Sequence, residues 1–482
     1  MIKNERWKRN ELNIAALHHK IEKLLETEED NSTEIIDLYL EIDNLKKPFS
    51  QLIEEAKSDI KKMYLDNEDE RPWAIAYSGG KDSTTVLGLV VDMLNELTPS
   101  NRKRSIHAIM SDTVIENPNL EDYMLSQVDK LKEYIKTADI PLSIDVVRRP
   151  LKNGYFFLTL GKGYFLPQNN GSGRWCTDRL KIKPQNEKLK EIDPSYILTG
   201  VRLSESAQRK QSIEKWQNEE KLNKKIGNHV NLKTANTFNP IVDFTIEDVW
   251  EYLQKERLPW STTHDVRRLY RDATGECGFT NPKGVEAKAS QSETCGARFG
   301  CWTCPVILKD RSTEAMSQHN NWMKPLTNYR MMQLKVMGDY KPEKPATQNR
   351  KARSFVLKKA RELGDDIKHI TKSGYKMNGK RYTDRNGEIH NNKGTVTIEA
   401  RQFLFEQLLK TEAEVNKLRA KESLPYLPLI SKEEKEAIEK QWEIDRKEAP
   451  WLITNVNGKT IDDLKQTLEE LELLEKNQPL EL

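Results

Sequence analysis

Trp73-Ala74-Ile75-Ala76-Tyr77-Ser78-Gly79-Gly80-Lys81-Asp82-Ser83-Thr84-Thr85-Val86-Leu87-Gly88-Leu89-Val90-Val91 is the stretch whose reading decides the fold. Its apolar opening, residues 73–77, reads as a buried strand, and residues 84–91 read as the start of a helix. A glycine turn joins them. Strand, turn and helix N-terminus together make an anion site. The glycines let the backbone approach phosphate oxygens closely, and the helix end supplies N–H groups and a positive dipole. Ser78, Ser83 and Thr84 add hydroxyl donors, and Lys81 adds charge. The G-x-x-x-x-G-K-[ST] spacing of a Walker A loop is missing.

Working outward, short apolar runs alternate with helical patterns from residue 71 to residue 260. Further strands are expected at 105–110, 142–147 and 196–201, with a helix at 120–137 among the connections. This βαβ rhythm predicts a parallel sheet with helices on both faces. Ligands of such sheets bind beyond the carboxyl ends of the strands. The 78–83 loop lies at one such end, and Asp112 and Thr113 lie at another.

Residues 5–67 read as helical, with apolar positions at Leu17, Ile21, Leu24 and Leu25, then at Ile35, Leu38, Ile42 and Leu45. Asn31-Ser32 separates the two stretches and can cap the second. Residues 261–330 are loop-rich. Past them come a basic segment, a hairpin turn at Asp384-Arg385-Asn386-Gly387, and helices at 397–417 and Lys432–Glu448. The expected division is a helical region at 1–69, an α/β nucleotide domain at 70–260, a cysteine-rich segment at 261–330 and an α+β extension at 331–482.

The chain of 482 residues is long enough for two or three domains. Lys and Arg number 78 and Asp and Glu 75, so bulk charge names no partner. The distribution is uneven. Residues 341–385 hold 14 Lys/Arg against 5 Asp/Glu, and residues 411–482 hold 11 against 17. A basic segment beside an acidic tail is compatible with nucleic-acid contact plus a protein-binding or solvating end. Residues 1–13 are charged and polar, and no apolar run approaches a membrane span. A cytoplasmic location is expected. Structural disulfides are rare there. Four of the five cysteines fall within 28 residues, so these thiols point to a metal or redox site.

Four further motifs carry chemistry. Gly173-Arg174-Trp175-Cys176-Thr177-Asp178-Arg179-Leu180-Lys181-Ile182-Lys183 sets one Cys among four cations. Positive surroundings predict a lowered thiol pKa and a nucleophilic thiolate, and they attract phosphate. Gly200-Val201-Arg202-Leu203-Ser204-Glu205-Ser206-Ala207-Gln208-Arg209 offers Arg202 and Arg209 as a clamp on phosphate oxygens, with Glu205 orienting one of them. In Asn239-Pro240-Ile241-Val242-Asp243-Phe244-Thr245-Ile246-Glu247-Asp248-Val249-Trp250-Glu251-Tyr252, Thr245 and Asp248 open a helix as a capping box would, with Asp in place of Glu or Gln. Val249, Tyr252 and Leu253 are expected to pack inward. Finally, Cys277, Cys295, Cys301 and Cys304 can hold a [4Fe–4S] cluster or a structural zinc.

The SGGKDS loop resembles that of the PP-loop ATP pyrophosphatases, which split ATP between the α and β phosphates. The loop, Asp112, the GVRxxESxxR segment and the NPIxDxTxxDVWxY segment together resemble the phosphoadenosine phosphosulfate (PAPS) reductase superfamily over residues 70–305. That resemblance implies a parallel-sheet, adenine nucleotide alpha hydrolase-like core. It implies ATP and Mg²⁺ at Ser78, Gly79, Gly80, Lys81, Asp82, Ser83, Asp112, Arg174, Arg179, Gly200, Arg202 and Arg209. It favours the [4Fe–4S] cluster over zinc. Assimilatory PAPS reductases carry a redox Cys near the chain end. Here 178 residues follow Cys304 without another cysteine. Adenosine phosphosulfate reductases use a paired Cys-Cys where this chain has only Cys176.

The combination of GRWCTDRLKIKP, a cysteine quartet ending CWTCPV and a long basic extension is similar to the sulfurtransferases of bacterial DNA phosphorothioation. This resemblance implies ATP-dependent activation of a DNA phosphate and replacement of a non-bridging oxygen by sulfur. Cys176, Asp82 and Lys81 would be catalytic. The cluster would either fix the fold or offer an iron to the sulfur. DNA, a cysteine desulfurase and other phosphorothioation subunits would be partners, with DNA contact through residues 341–385. A sulfonucleotide reductase, an RNA thiolation enzyme and a non-catalytic nucleotide- and DNA-binding adaptor are the alternatives.

Overall fold

The structure, a computed structural model, describes residues 5–27, 31–66, 69–164, 166–167, 174–203, 225–229, 231–255, 258–261, 300–306, 310–337, 356–358, 381–383, 389–391, 393–396 and 398–448. The chain divides into two compact units that interleave along the sequence. One comprises Met1–Ser111, Tyr123–Val147 and Gln185–Arg267, and the other Asp112–Asp122, Arg148–Pro184 and Arg268–Leu482. Among the described residues no helix is long and apolar enough to cross a membrane.

The first unit is built on the predicted sheet. Strands β1 (Trp73–Ala76), β2 (Ile106–Asp112), β3 (Leu142–Arg148), β4 (Tyr196–Leu198), β5 (Ile226–Asn228) and β6 (Asn236–Phe238) form one sheet in the order β3-β2-β1-β4-β6-β5. Strand β1 pairs in parallel with β2, Ile75 facing Ala108, and with β4, Ile75 facing Leu198. β4 pairs in parallel with β6, and β5 runs antiparallel to its neighbour β6. The order reverses beside β1, because the chain lays β2 and β3 on one side of it and returns with β4 and β6 on the other. Such a switch point opens a crevice at the carboxyl ends of the strands on either side.

Helix α5 (Lys81–Glu96) follows β1, after α1 (Glu5–Arg9), α2 (Glu11–Leu25), α3 (Ser32–Lys46) and α4 (Phe49–Tyr64). It is apolar around most of its circumference, as a helix enclosed on several sides must be. Val86, Leu87, Leu89, Val90 and Val91 are all fully buried. It packs on α4 and on α8 (Ile246–Lys255), which comes after α6 (Pro118–Ala138) and α7 (Lys183–Ile192). One core cluster joins Ala74, Ile109 and Ile197 of the sheet to Leu189 and Ile192 of α7.

The N-terminal helices form as the periodicity predicts, with Ile14, Ile21, Leu38, Ile42 and Leu45 as their own core. Leu25 faces outward instead. Helix α3 does begin after Asn31, but the Asn31 amide bonds back to Leu24 O at 3.3 Å and Thr27 Oγ1 at 2.6 Å and does not cap the helix. The capping box of α8 forms with Asp in the Glu position. Thr245 N donates to Asp248 Oδ2 at 2.9 Å, and Asp248 N donates to Thr245 Oγ1 at 3.2 Å. The same carboxylate binds Arg6 at 2.7 Å and Arg9 at 2.5 Å, and the Arg6 and Asp248 side chains are fully enclosed.

The second unit holds α9 (Arg311–His319), α10 (Lys324–Met337), α11 (Ile398–Lys421) and α12 (Lys432–Glu448). It also holds two small ladders. Strand β7 (Val356–Lys358) pairs with β10 (Lys393–Val396), and β8 (Arg381–Thr383) pairs with β9 (Ile389–Asn391). The β8–β9 pair is antiparallel, as the hairpin reading requires, and its turn lies outside the described residues. Helices α11 and α12 carry a buried ion pair, Arg401 Nη1 to Asp445 Oδ2 at 2.7 Å, with both side chains fully enclosed. Helix α12 grips the π-helical turn Phe157–Gly161. Glu434 Oε1 accepts the Phe157 N–H at 3.1 Å, and Trp442 Nε1 donates to Leu160 O at 2.8 Å.

Candidate functional site

The switch-point crevice of the first unit gathers three of the sequence motifs. Gly79 takes φ +69, a conformation glycine adopts without a Cβ penalty, and a Cβ there would meet Met124 Cγ at 2.8 Å. The turn is then braced internally. Ser83 Oγ accepts the Ser78 N–H at 3.1 Å and donates to Gly80 O at 3.1 Å. Of the three hydroxyl residues expected to face phosphate, Ser83 is spent on this bracing, and Thr84 is buried at 1% exposure. The first-turn N–H groups of α5 have no intrahelical acceptor and remain the anion donors of the loop.

Gly200 follows β4 on the other side of the switch point. A Cβ there would sit 2.8 Å from the Asp82 carbonyl carbon and 3.0 Å from Ser83 N. Only glycine lets the two loops touch through their backbones. Thr199 is held by Asn239, the first residue of the NPIVD segment, through a 2.5 Å hydrogen bond to Asn239 Oδ1, and Leu203 N donates to Val242 O. The NPIVD segment therefore braces the Gly200–Arg202 turn as well as opening α8.

Asp82 is the centre of this site. Its Oδ2 binds Lys81 Nζ at 2.9 Å and its Oδ1 binds Arg202 Nε at 2.7 Å. One carboxylate thus positions two cations, and Lys81 and Arg202 are both nearly enclosed, 8% and 2% exposed. Two cations aligned by one carboxylate, next to the N-terminus of a helix, are an arrangement that can hold a polyphosphate. Arg209 and Glu205 lie outside the described residues.

The second unit holds the cysteine motif. Cys301 and Cys304 share a tight turn, with Cys304 N donating to Cys301 O at 2.9 Å, and Cys301 bridges to Glu116. Cys176 comes to this turn from its own segment. Trp175 stacks on Tyr155 at 5.9 Å, and the Tyr155 hydroxyl donates to Thr303 O at 3.4 Å. Sequence reading kept Cys176 apart from the quartet, whereas its sulfur lies within electrostatic reach of Cys304 and Cys301.

The expected thiolate at Cys176 is corrected by its surroundings. Burial first, and then the Cys304 sulfur, push the Cys176 thiol above its usual range. Two of the motif's four cations are engaged by carboxylates. Lys181 binds Glu116 at 2.8 Å and Lys183 binds Asp178 at 3.0 Å. Burial pushes the Cys301 thiol up as well, with Glu116 next in effect.

Half-buried thiols from two segments are the donor chemistry that a thiophilic metal or cluster takes. Cys277 and Cys295 lie outside the described residues, and among the described residues no group of three or more His, Cys, Asp or Glu is arranged to hold a metal.

Asp112, the last residue of β2, is committed to its own unit. Its Oδ1 accepts the Val114 N–H at 2.8 Å, and its Oδ2 binds Arg148 Nη2 at 2.5 Å. Val114 takes φ 61, rare for a β-branched residue. Nearby, burial first and then the Asp112 charge push the Glu121 carboxyl up to about 7. Nothing in the sequence singled out Glu116 or Glu121. Both lie in a polar stretch after a strand, and only the fold encloses them.

The family description "Phosphoadenosine phosphosulfate reductase domain" matches residues 72–307. No curated protein matches the chain. Three solved structures share low similarity. The PAPS reductase of Candida auris in its phosphate complex has 14% identity and a TM-score of 0.29, and the match covers 44% of this chain and 87% of that one. The Candida glabrata FMN adenylyltransferase with FMN and AMPCPP has 13% identity and a TM-score of 0.30, covering 55% and 70%. The U34-tRNA thiolase NcsA of Methanococcus maripaludis, with its [4Fe-4S] cluster, has 16% identity and a TM-score of 0.28, covering 55% and 91%. Over residues 72–307, then, this α/β chain is similar to the phosphoadenosine phosphosulfate reductase domain family.

Proposed function

We propose that the chain is an ATP pyrophosphatase and sulfurtransferase of the DndC type. It would use ATP to activate a DNA backbone phosphate, releasing pyrophosphate, and exchange a non-bridging oxygen for sulfur as AMP leaves. The observation that carries the nucleotide half is the Lys81–Asp82–Arg202 arrangement at the switch point. A backbone phosphate is a poor electrophile, because its oxygens leave badly and its charge repels nucleophiles. Attaching AMP gives one oxygen a good leaving group. Lys81, Arg202 and the loop N–H groups would hold the charge that grows on the transferring phosphates. Asp82 would keep both cations aimed. Mg²⁺ would enter on the ATP phosphates, and no protein ligand is assigned to it.

Sulfur transfer rests on Cys176, proposed as the persulfide carrier loaded by a cysteine desulfurase. Its terminal sulfur would attack the adenylylated phosphate as AMP leaves. A dithiol reductant would cleave the resulting S–S bond, leaving the phosphorothioate and the Cys176 thiol. Its place beside Cys301 and Cys304 supports a shared sulfur site. Cys277, Cys295, Cys301 and Cys304 would hold the [4Fe–4S] cluster, whose thiophilic iron would supply sulfur affinity there. Other subunits, of the DndD and DndE or the SspB and SspC kind, would be partners, and SspD is the near alternative to DndC. The basic segment 341–385, proposed as a DNA contact, has its central part outside the described residues.

The test is product analysis with purified protein, ATP and DNA. AMP and pyrophosphate in equal amounts, formed faster when DNA is added, support the reading. ADP and phosphate as products, or ATP bound without turnover when DNA and sulfur donor are present, overturn it.

A further inference from the structure

Around two π-helical turns of the second unit, Phe157–Gly161 and Thr177–Ile182, lie cations that pair with no carboxylate among the described residues. The Arg179 guanidinium carbon lies 5.3 Å from the centre of the Tyr164 ring. The Arg179 carbonyl in turn accepts a hydrogen bond from Arg149 Nε at 2.5 Å. Lys162 Nζ lies 5.5 Å from the centre of the Phe157 ring. Burial first, then the charges of Arg179 and Lys152, pull the Lys162 ammonium below the usual lysine range. The opposing carboxylate is Asp445, which is bound to Arg401. Lys152, Lys162 and Arg179 make no ion pair among the described residues.

The contrast with their neighbours is informative. Arg148, Lys181 and Lys183 each hold a carboxylate, Asp112, Glu116 and Asp178 respectively. Arg179 and Lys162 are held by aromatic rings instead. A ring steadies a cation without neutralising it, and a stacked guanidinium keeps its in-plane donors available for phosphate. Like charges crowded in this way repel one another, and a polyanion lying across them relieves the repulsion. Trp175 sits edge-on to Tyr164 at 6.0 Å and is the residue before Cys176, so the cationic cluster and the thiol share one structural neighbourhood.

We propose that Lys152, Lys162 and Arg179 form a phosphodiester-binding subsite that seats a nucleic-acid strand beside Cys176. The inference rests on the functional reading above and adds the surface through which the strand would be held. Single phosphates along a strand match three separated cations.

The experiment is fluorescence anisotropy of the full chain with a 5′-labelled single-stranded DNA and an RNA of the same sequence over a salt series. The triple variant Lys152→Gln, Lys162→Gln, Arg179→Gln is expected to bind DNA at least ~10-fold more weakly, with the slope of log affinity against log salt shallower by about 2. The double variant Lys132→Gln, Lys136→Gln, which removes two exposed charges on α6, is expected to keep the wild-type slope. Should the triple variant fail to fold, the pair Lys152→Gln, Lys162→Gln carries the test, with a slope shallower by about 1 to 2.

Wild-type affinity and slope retained in these variants would overturn the subsite and leave the DNA reading standing. Weakening for RNA alone would support the subsite and overturn the DNA reading. Weakened ATP binding with DNA affinity intact would reassign the cluster to nucleotide and overturn the subsite.

Discussion

At the scale of single residues, Asp82 and Gly200 decide whether the switch-point crevice can act on ATP. Asp82→Asn keeps the shape and removes the charge that aligns Lys81 and Arg202. Pyrophosphate formation is expected to fall about 100-fold, with ATP affinity changing less, because the aligned charge acts most on the transition state. Single-turnover assays at saturating ATP measure this, and an unchanged rate would remove Asp82 from the mechanism. Gly200→Ala acts differently. Its Cβ would strike the Asp82 peptide at 2.8 Å, and backbone cannot swing aside as a side-chain tip can. Overpacking of this kind costs about 1–3 kcal/mol, so ATP binding is expected to weaken roughly 5- to 150-fold in calorimetric titration. The SGGKDS loop was legible because its residue types and order state its chemistry. The Gly200 contact was not, since a glycine in sequence does not announce which backbone passes above it.

At the scale of elements, caps and buried charges carry the predictions. Asp248 caps α8 and also neutralises Arg6. Asp248→Ala would leave Arg6 buried without a counter-charge, and stability should fall by about 3–5 kcal/mol in chemical denaturation. A loss below 1 kcal/mol would mean that water reaches Arg6. Glu434 gives a pH signature. Burial raises its carboxyl to about 7, opposed by the Phe157 N–H. The unfolded group titrates near 4.5, so the folded chain binds the proton more tightly between pH 4.5 and 7. Its stabilising contribution is full below pH 4.5 and is lost as pH rises to 7, a change of about 3 kcal/mol at most. Glu434→Gln should leave stability at pH 5 nearly unchanged and raise it at pH 8. Identical pH profiles for both proteins would contradict this.

Element reading from sequence succeeded where patterns are long. Helix Lys432–Glu448 matches its periodicity, and the Thr245–Asp248 cap was visible as a spacing. Strands β5 and β6 were missed. Each has three residues with Asn or Gly among them, and only pairing with β4 and with each other makes them strands. The π-helical turn Phe157–Gly161 leaves no local signature, because tertiary contacts from α12 fix the extra residue.

At the scale of the whole molecule, the two candidate sites fall in two different units. The nucleotide loop and Arg202 belong to the first, and Cys176, Cys301 and Cys304 belong to the second. Sequence reading singled out the loop, Arg202 and the cysteines one motif at a time and did not group Cys176 with Cys301 and Cys304. It treated Cys176 as a lone thiol activated by cations, and the fold spends two of those cations on Glu116 and Asp178. The order of motifs along the chain could not reveal this, since residues 148–184 and 300–337 meet only when folded.

The account's central claim is sulfur transfer to DNA. Mass spectrometry of nuclease-digested DNA from cells lacking the chain, complemented with wild type, Asp82→Asn or Cys176→Ser, tests it most directly. Phosphorothioate-linked dinucleotides are expected with wild type and are expected to vanish with either variant. DNA free of phosphorothioate in the wild-type complement, alongside thiolated RNA or released sulfite, would contradict the claim.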